Sequence, residues 1–156
     1  MAAHAYAETG KMSTTSGSLK SVLQLGATAS VAPLLYEFTI STSGTPADNV
    51  LEWVLARFTA SASATSFTPV SVTLDPGIVT PIAALAWAAE NASVEGTVTA
   101  ASELFDQGIN QRAAYRWVAS PGYGFQAPAV ASNGLVMRVL STAYTGQSDT
   151  TFNHME

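Results

Sequence analysis

Two histidines, His4 and His154, are the only side chains of this 156-residue sequence whose charge ordinarily changes near neutral pH. They stand at opposite ends of the chain, each in or beside a terminus expected to be mobile. A metal centre or a general base needs convergent partners on a rigid frame, so both are read as exposed polar residues. Serines are plentiful, yet no Gly-x-Ser-x-Gly elbow occurs, and a serine nucleophile would have to use one of these terminal histidines as its base. The carboxylates Glu37, Glu52, Asp75, Glu90, Glu95, Glu103, Asp106 and Asp149 are scattered. Glu103 and Asp106 are close enough to flank a groove or hold a cation, but a solvated strand end is the reading their spacing favours. Gly122-Tyr-Gly124 is a lone turn pair and not a phosphate loop. Asn91-Ala-Ser93 matches a glycosylation acceptor and is read as accidental, because the N-terminal residues lack the basic and apolar regions of a signal peptide. Cysteine is absent, which removes disulfides, thiol nucleophiles and thiolate metal sites. The expectation is a protein that is not an enzyme, with no catalytic residue, no metal and no cofactor.

Composition points toward contact. Charged residues make up 11% of the chain, against roughly 25% in ordinary soluble domains. Ser, Thr, Ala and Gly stand in their place, and such small neutral side chains lose little rotamer freedom when another surface covers them. The net charge is −5, and the six basic residues, Lys11, Lys20, Arg57, Arg112, Arg116 and Arg138, form no run. A nucleic-acid footprint needs clustered cations, so no nucleic-acid partner is expected. No stretch approaches the ~18 apolar residues of a membrane span, so no membrane partner is expected either.

The elements that would position these residues read as strands. Residues 1–18 are small and polar, without a period of 2 or 3.6, and read as a flexible N-terminal arm anchored on a partner by Tyr6 and Met12, with Lys11 beside them. From Leu19 the pattern turns to β. Leu34, Tyr36, Phe38 and Ile40 alternate with Leu35, Glu37, Thr39 and Ser41. After a turn cluster at residues 44–49, Val50–Phe58 is apolar on both faces, with Leu51, Trp53 and Leu55 on one and Val50, Val54 and Phe58 on the other. One face suits the opposite sheet, and the second needs a loop or another subunit. Residues 69–74 read as a short strand closed by Asp75-Pro-Gly77, and the Ala-rich residues 80–89 suit a helical turn or a strand. Gly96–Phe105, Arg112–Val118 and Leu135–Leu140 alternate, while the polar segment Gln147–Met155 suits an edge strand. Trp53 and Trp117 fall inside alternating strands and are read as core or subunit contact, which leaves Trp87 as the one candidate for a ligand platform. About eight short strands with regular turns imply an all-β fold, an antiparallel two-sheet β-sandwich or jelly roll over residues 19–156, with the arm extending from it.

In their order along the chain, Leu35-Tyr-Glu-Phe-Thr-Ile40, Val50-Leu-Glu-Trp-Val-Leu-Ala-Arg-Phe58, Thr68-Pro-Val70 with Leu74-Asp-Pro76, Asn110–Val118, Gly134-Leu-Val-Met-Arg138 and Ala143-Tyr-Thr-Gly146 resemble the capsid decoration, or cement, proteins of tailed bacteriophages. The likeness covers roughly residues 20–156 and rests on strand patterns, with no catalytic signature. It implies a sandwich or jelly roll on the outer capsid surface, assembled in the host cytoplasm, that bridges neighbouring capsomers. The implied partners are the major capsid protein and further copies of the chain, a homotrimer before a dimer. The residues expected to touch them are Tyr6, Lys11 and Met12 in the arm and Val50, Val54 and Phe58 on the strand. Three other roles compete: another virion part such as a head fibre, neck or minor tail protein, a carbohydrate- or receptor-binding β module, and a small glycoside-active enzyme on a jelly roll, for which nothing in the sequence places the two facing carboxylates it needs.

Overall fold

A computed structural model describes residues 4–14, 17–72, 84–141, 144 and 146–156. The turn expected at Asp75–Gly77 and the first part of the Ala-rich stretch lie outside them. Among the described residues twelve strands run in chain order: β1 (Ala5–Ser13), β2 (Lys20–Gly26), β3 (Leu34–Ser43), β4 (Val50–Ala60), β5 (Ser63–Phe67), β6 (Val70–Ser71), β7 (Trp87–Val94), β8 (Thr97–Asn110), β9 (Tyr115–Val118), β10 (Phe125–Gln126), β11 (Gly134–Leu140) and β12 (Gln147–Met155). They form two antiparallel sheets packed as a sandwich. One runs β10-β3-β12-β1-β6, with β9 also on the free edge of β3, and the other runs β5-β7-β2-β11-β4-β8. Four more strands occur than the alternation suggests. The extra ones are short edge pieces such as β6 and β10, or polar strands such as β1 and β5, which carry little hydrophobic contrast.

Three expectations are corrected. The first is the N-terminal arm. Residues 5–13 are an internal strand, paired with β12 across nine positions from Ala5↔Met155 to Ser13↔Gln147. Tyr6 and Met12 point inward, 1% and 4% exposed. The small polar residues that suggested an arm are the outward half of a strand whose inward half is Tyr6, Glu8, Gly10 and Met12. The second is β12, which is no edge. It lies between β3 and β1, and its inward residues Ser148, Thr150, Phe152 and His154 alternate with outward Asp149, Thr151 and Asn153. The third is the phase of β3. A bulge opposite Asn153 and His154 shifts its alternation, so Leu35, Phe38 and Ile40 face the core in place of Leu34 and Tyr36.

The core divides into an aromatic and a polar half. On the β3 side Phe38 sits at the centre of a ring cluster, stacked on Trp117 (5.4 Å between centroids) and edge-on to Phe105 (5.1 Å), with Trp117 stacked in turn on Phe125 (4.5 Å). Offset stacking and edge contacts of this kind add about 0.5–1.5 kcal/mol per pair beyond the burial itself. Leu51, Trp53 and Leu55 of β4 join this core, as their spacing predicts. The polar half lies under β1 and β12.

Candidate functional site

The chemistry-bearing side chains that the fold does bring together lie in the polar half of the core. His154 and Tyr6 are directly opposite on paired strands and stack at 5.4 Å and 24°. Glu8 is two positions further along the same inward row of β1. Its carboxylate oxygens lie 3.0 and 3.2 Å from His154 Nδ1. The other ring nitrogen, Nε2, is 3.3 Å from Glu156 Oε1. A carboxylate at each nitrogen is satisfied best by the doubly protonated ring, with both N–H groups donating. Glu156 does a second job: its two carboxylate oxygens accept from the backbone N–H of Leu85 and of Ala86, each at 2.8 Å. His4 and Glu156 also exchange two backbone hydrogen bonds. The side chains of Glu8 and His154 have no solvent exposure.

Burial sets the electrostatics. Desolvation pushes Glu8 above the ordinary carboxylate range, and the hydrogen bond and positive charge of His154 pull it only part of the way back. For His154, desolvation lowers the pKa, but the hydrogen bonds and negative charges of Glu8 and Glu156 outweigh it, so the ring holds its proton above the ordinary value of 6.5. Tyr6 is raised too, first by burial and then by Glu156. Among the described residues no group of three or more acidic or histidine ligands is arranged to hold a metal ion. With both nitrogens engaged and the ring buried, the arrangement stores a proton and ties segments together. The expectation that His154 is exposed and mobile is corrected. Its binding partner Glu8 is 146 residues away in sequence, and no local spacing marks the pair.

The six residues expected to meet partners are placed differently from one another. Tyr6 and Met12 are core residues, as above. Lys11 is exposed on the outer face of the first sheet, directly opposite Asp149. Val54 and Phe58 are buried within the chain, 1% and 2% exposed. They form a small second core with Ala56 and Val136, covered by Leu19, Trp87 and Val98. The second apolar face of β4 is therefore covered within the chain, by Trp87 of β7, Val98 of β8 and Leu19, where a loop or another subunit was the expectation. Val50 alone of that face is exposed, at 59%. Trp87 is part of this cover, against Phe58 at 6.0 Å and against Gly26, where a side chain would overlap the indole. It is half-buried in this cover.

Two surfaces remain. The outer face of the first sheet is built in rows: Arg116, Thr39, Thr151 and Thr9 lie side by side across β9, β3, β12 and β1. Thr9 and Thr151 share a hydroxyl hydrogen bond of 3.0 Å. Arg116 is bonded to Glu37 here, and Lys11 stands in register with Asp149, whose buried Oδ1 has no hydrogen-bond partner among the described residues. A groove of about 290 Å³ lies between the two sheets, lined by Lys11, Thr65, Glu90, Asn91 and Gln147 among others. Glu90, its carboxylate, already accepts the Lys11 backbone N–H at 2.6 Å. Comparison with protein-family models, with curated proteins and with solved structures found no match.

Proposed function

We propose that the chain is a structural virion protein that decorates and cements the outside of a tailed-phage capsid, bridging neighbouring capsomers. The observation that carries the reading is the outer face of the first sheet. It is a paired array rich in Thr, Ser and Asn side chains with few charges, on which Arg116 is ion-paired with Glu37 and Lys11 stands in register with Asp149. Covering such a face desolvates few charges, and short β-branched side chains have little rotamer freedom to lose. A cement needs many modest contacts of this kind and no chemistry. The low charge content and the strand-pattern resemblance support the same reading.

In this reading the major capsid protein covers that face. The jelly-roll wiring and the homo-oligomer, a trimer before a dimer, rest on the resemblance alone, since Val54 and Phe58 are already covered within one chain. Densitometry of purified virions tests the role. A copy number of the same order as the major capsid protein is expected. A number in the range of tail or neck components would overturn the capsid assignment.

A further inference from the structure

Glu156 joins three segments that are far apart in sequence. Its carboxylate holds the Leu85 and Ala86 N–H groups, its backbone pairs with His4, and it accepts from the His154 ring, which Glu8 holds from the other side. We propose that Glu8, His154 and Glu156 form a proton-operated clasp: one shared proton on the imidazole holds β1, β12 and the Leu85–Ala86 turn together, and its loss as the solution turns alkaline releases that turn.

The charge count gives the reason. With the ring protonated, one positive charge lies between two carboxylates in a site where His154 and Glu8 are fully buried. With the ring neutral, one nitrogen must face a carboxylate oxygen with no proton between them. Two negative charges then share the site without a counter-charge. Other ionisable groups that act on this site, among the described residues, are Tyr6 of β1, which stacks on the ring, and Tyr36 of β3, whose proton is held more tightly because of its burial and the nearby carboxylates of Glu37 and Glu8. Both are neutral in their protonated forms, so neither replaces the missing positive charge. Of the two carboxylates Glu156 lies nearer to solvent, its side chain 7% exposed while Glu8 is sealed. Repulsion is relieved by moving Glu156 outward, and Leu85 and Ala86 lose their acceptor with it.

The direction of the pH effect follows. His154 has a raised native pKa, so its contribution to stability is fully present below the ordinary value of 6.5 and is lost as pH rises through the native value. Glu8, also raised, acts in the same direction at lower pH: protonation favours the folded form, and its contribution fades as pH rises through its own native value. Stability and clasp closure therefore both decline toward alkaline pH.

Two measurements on the unmodified protein test this. The first is an NMR titration of the His154 ring carbons, assigned by comparison with His154→Gln. The second is the rate of chymotrypsin cleavage between Leu85 and Ala86, followed by mass and divided by the rate on a free peptide of the same sequence at each pH. The ring is expected to titrate above its ordinary value. The normalised cleavage rate is expected to rise through the same pH, about tenfold for each unit by which the native value exceeds the ordinary one. Glu8→Gln, which keeps the size and one acceptor, should move both transitions to lower pH. A ring that titrates at or below its ordinary value overturns the proposal, as does normalised cleavage that stays flat with pH. So does a Glu8→Gln protein that folds with its transitions unmoved. Should that variant fail to fold, the two wild-type curves decide.

Discussion

Thr150 shows how finely the polar half of the core is balanced. It is 1% exposed, points inward between Ile40 of β3 and Gly10 of β1, and its hydroxyl finds no partner among the described residues. A buried hydroxyl without a hydrogen bond costs about 1–3 kcal/mol, and valine has nearly the same shape. Thr150→Val should therefore raise the unfolding free energy by about 1–2 kcal/mol in urea titration, at an unchanged slope. A loss of stability would mean that the hydroxyl is bonded. Glu8 and His154, one and two inward positions further along the same pair of strands, are the opposite case: each supplies what the other lacks. That pairing was not legible in the sequence. Each residue taken alone looks like a solvated polar group near a chain end, and only the nine-position register of β1 with β12 brings them into contact.

At the scale of the element, what could be read depended on contrast between the two faces. In β4, Leu51, Trp53 and Leu55 alternate with Val54 and Phe58, and both sets are buried as their chemistry demands. The Tyr115–Val118 strand was equally clear, with Tyr115 and Trp117 inward. By contrast β1 and β12 hide their period. Their inward sets contain Glu8, Gly10, Ser148, Thr150 and His154, which hydropathy scores as outward. An arm and an edge were thus expected where two adjacent internal strands lie. The consequence is testable. Removing residues 1–13 takes away the full ladder with β12 and the burial of Tyr6 and Met12, at about 1.5–3 kcal/mol per side chain. It also leaves His154 buried beside a vacancy. These losses are comparable with the whole margin of about 5–15 kcal/mol by which domains are stable. The truncated chain should lose its cooperative thermal transition. A truncated protein that still unfolds sharply, near the wild-type temperature, would restore the arm.

For the whole molecule, the distribution of charge distinguishes one face from the rest. The outer face of the first sheet carries few charges, with Arg116 bonded to Glu37 and Lys11 in register with Asp149. The acidic excess lies elsewhere. Glu52 of β4 and Glu103 and Asp106 of β8 stand at the far edge of the second sheet, and the register of β8 with β4 is broken three times there. Acidic residues and bulges keep an edge strand from pairing with other chains. The molecule thus has a guarded edge and an unguarded face, and the proposed capsid contact belongs to the face. Thr151 is central to it, flanked by Thr9 and Thr39 with no charge directly opposite. Thr151→Lys adds a long charged chain at the centre of a face with few charges, and docking would have to desolvate it. A surface change of this type alters folding stability by about 0.5 kcal/mol or less, once the single Thr9 hydroxyl contact is set aside. Burying an unpaired ammonium at an interface costs several kcal/mol, or at least about a hundredfold in affinity. The expected result is a variant with a near-normal melting temperature that no longer co-sediments with capsids. Thr65→Lys, on the exposed edge strand β5 of the other sheet, should co-sediment as the wild type does. Equal binding by both variants would move the capsid contact off this face, and loss of binding by both would mean that added charge anywhere is enough to release the protein.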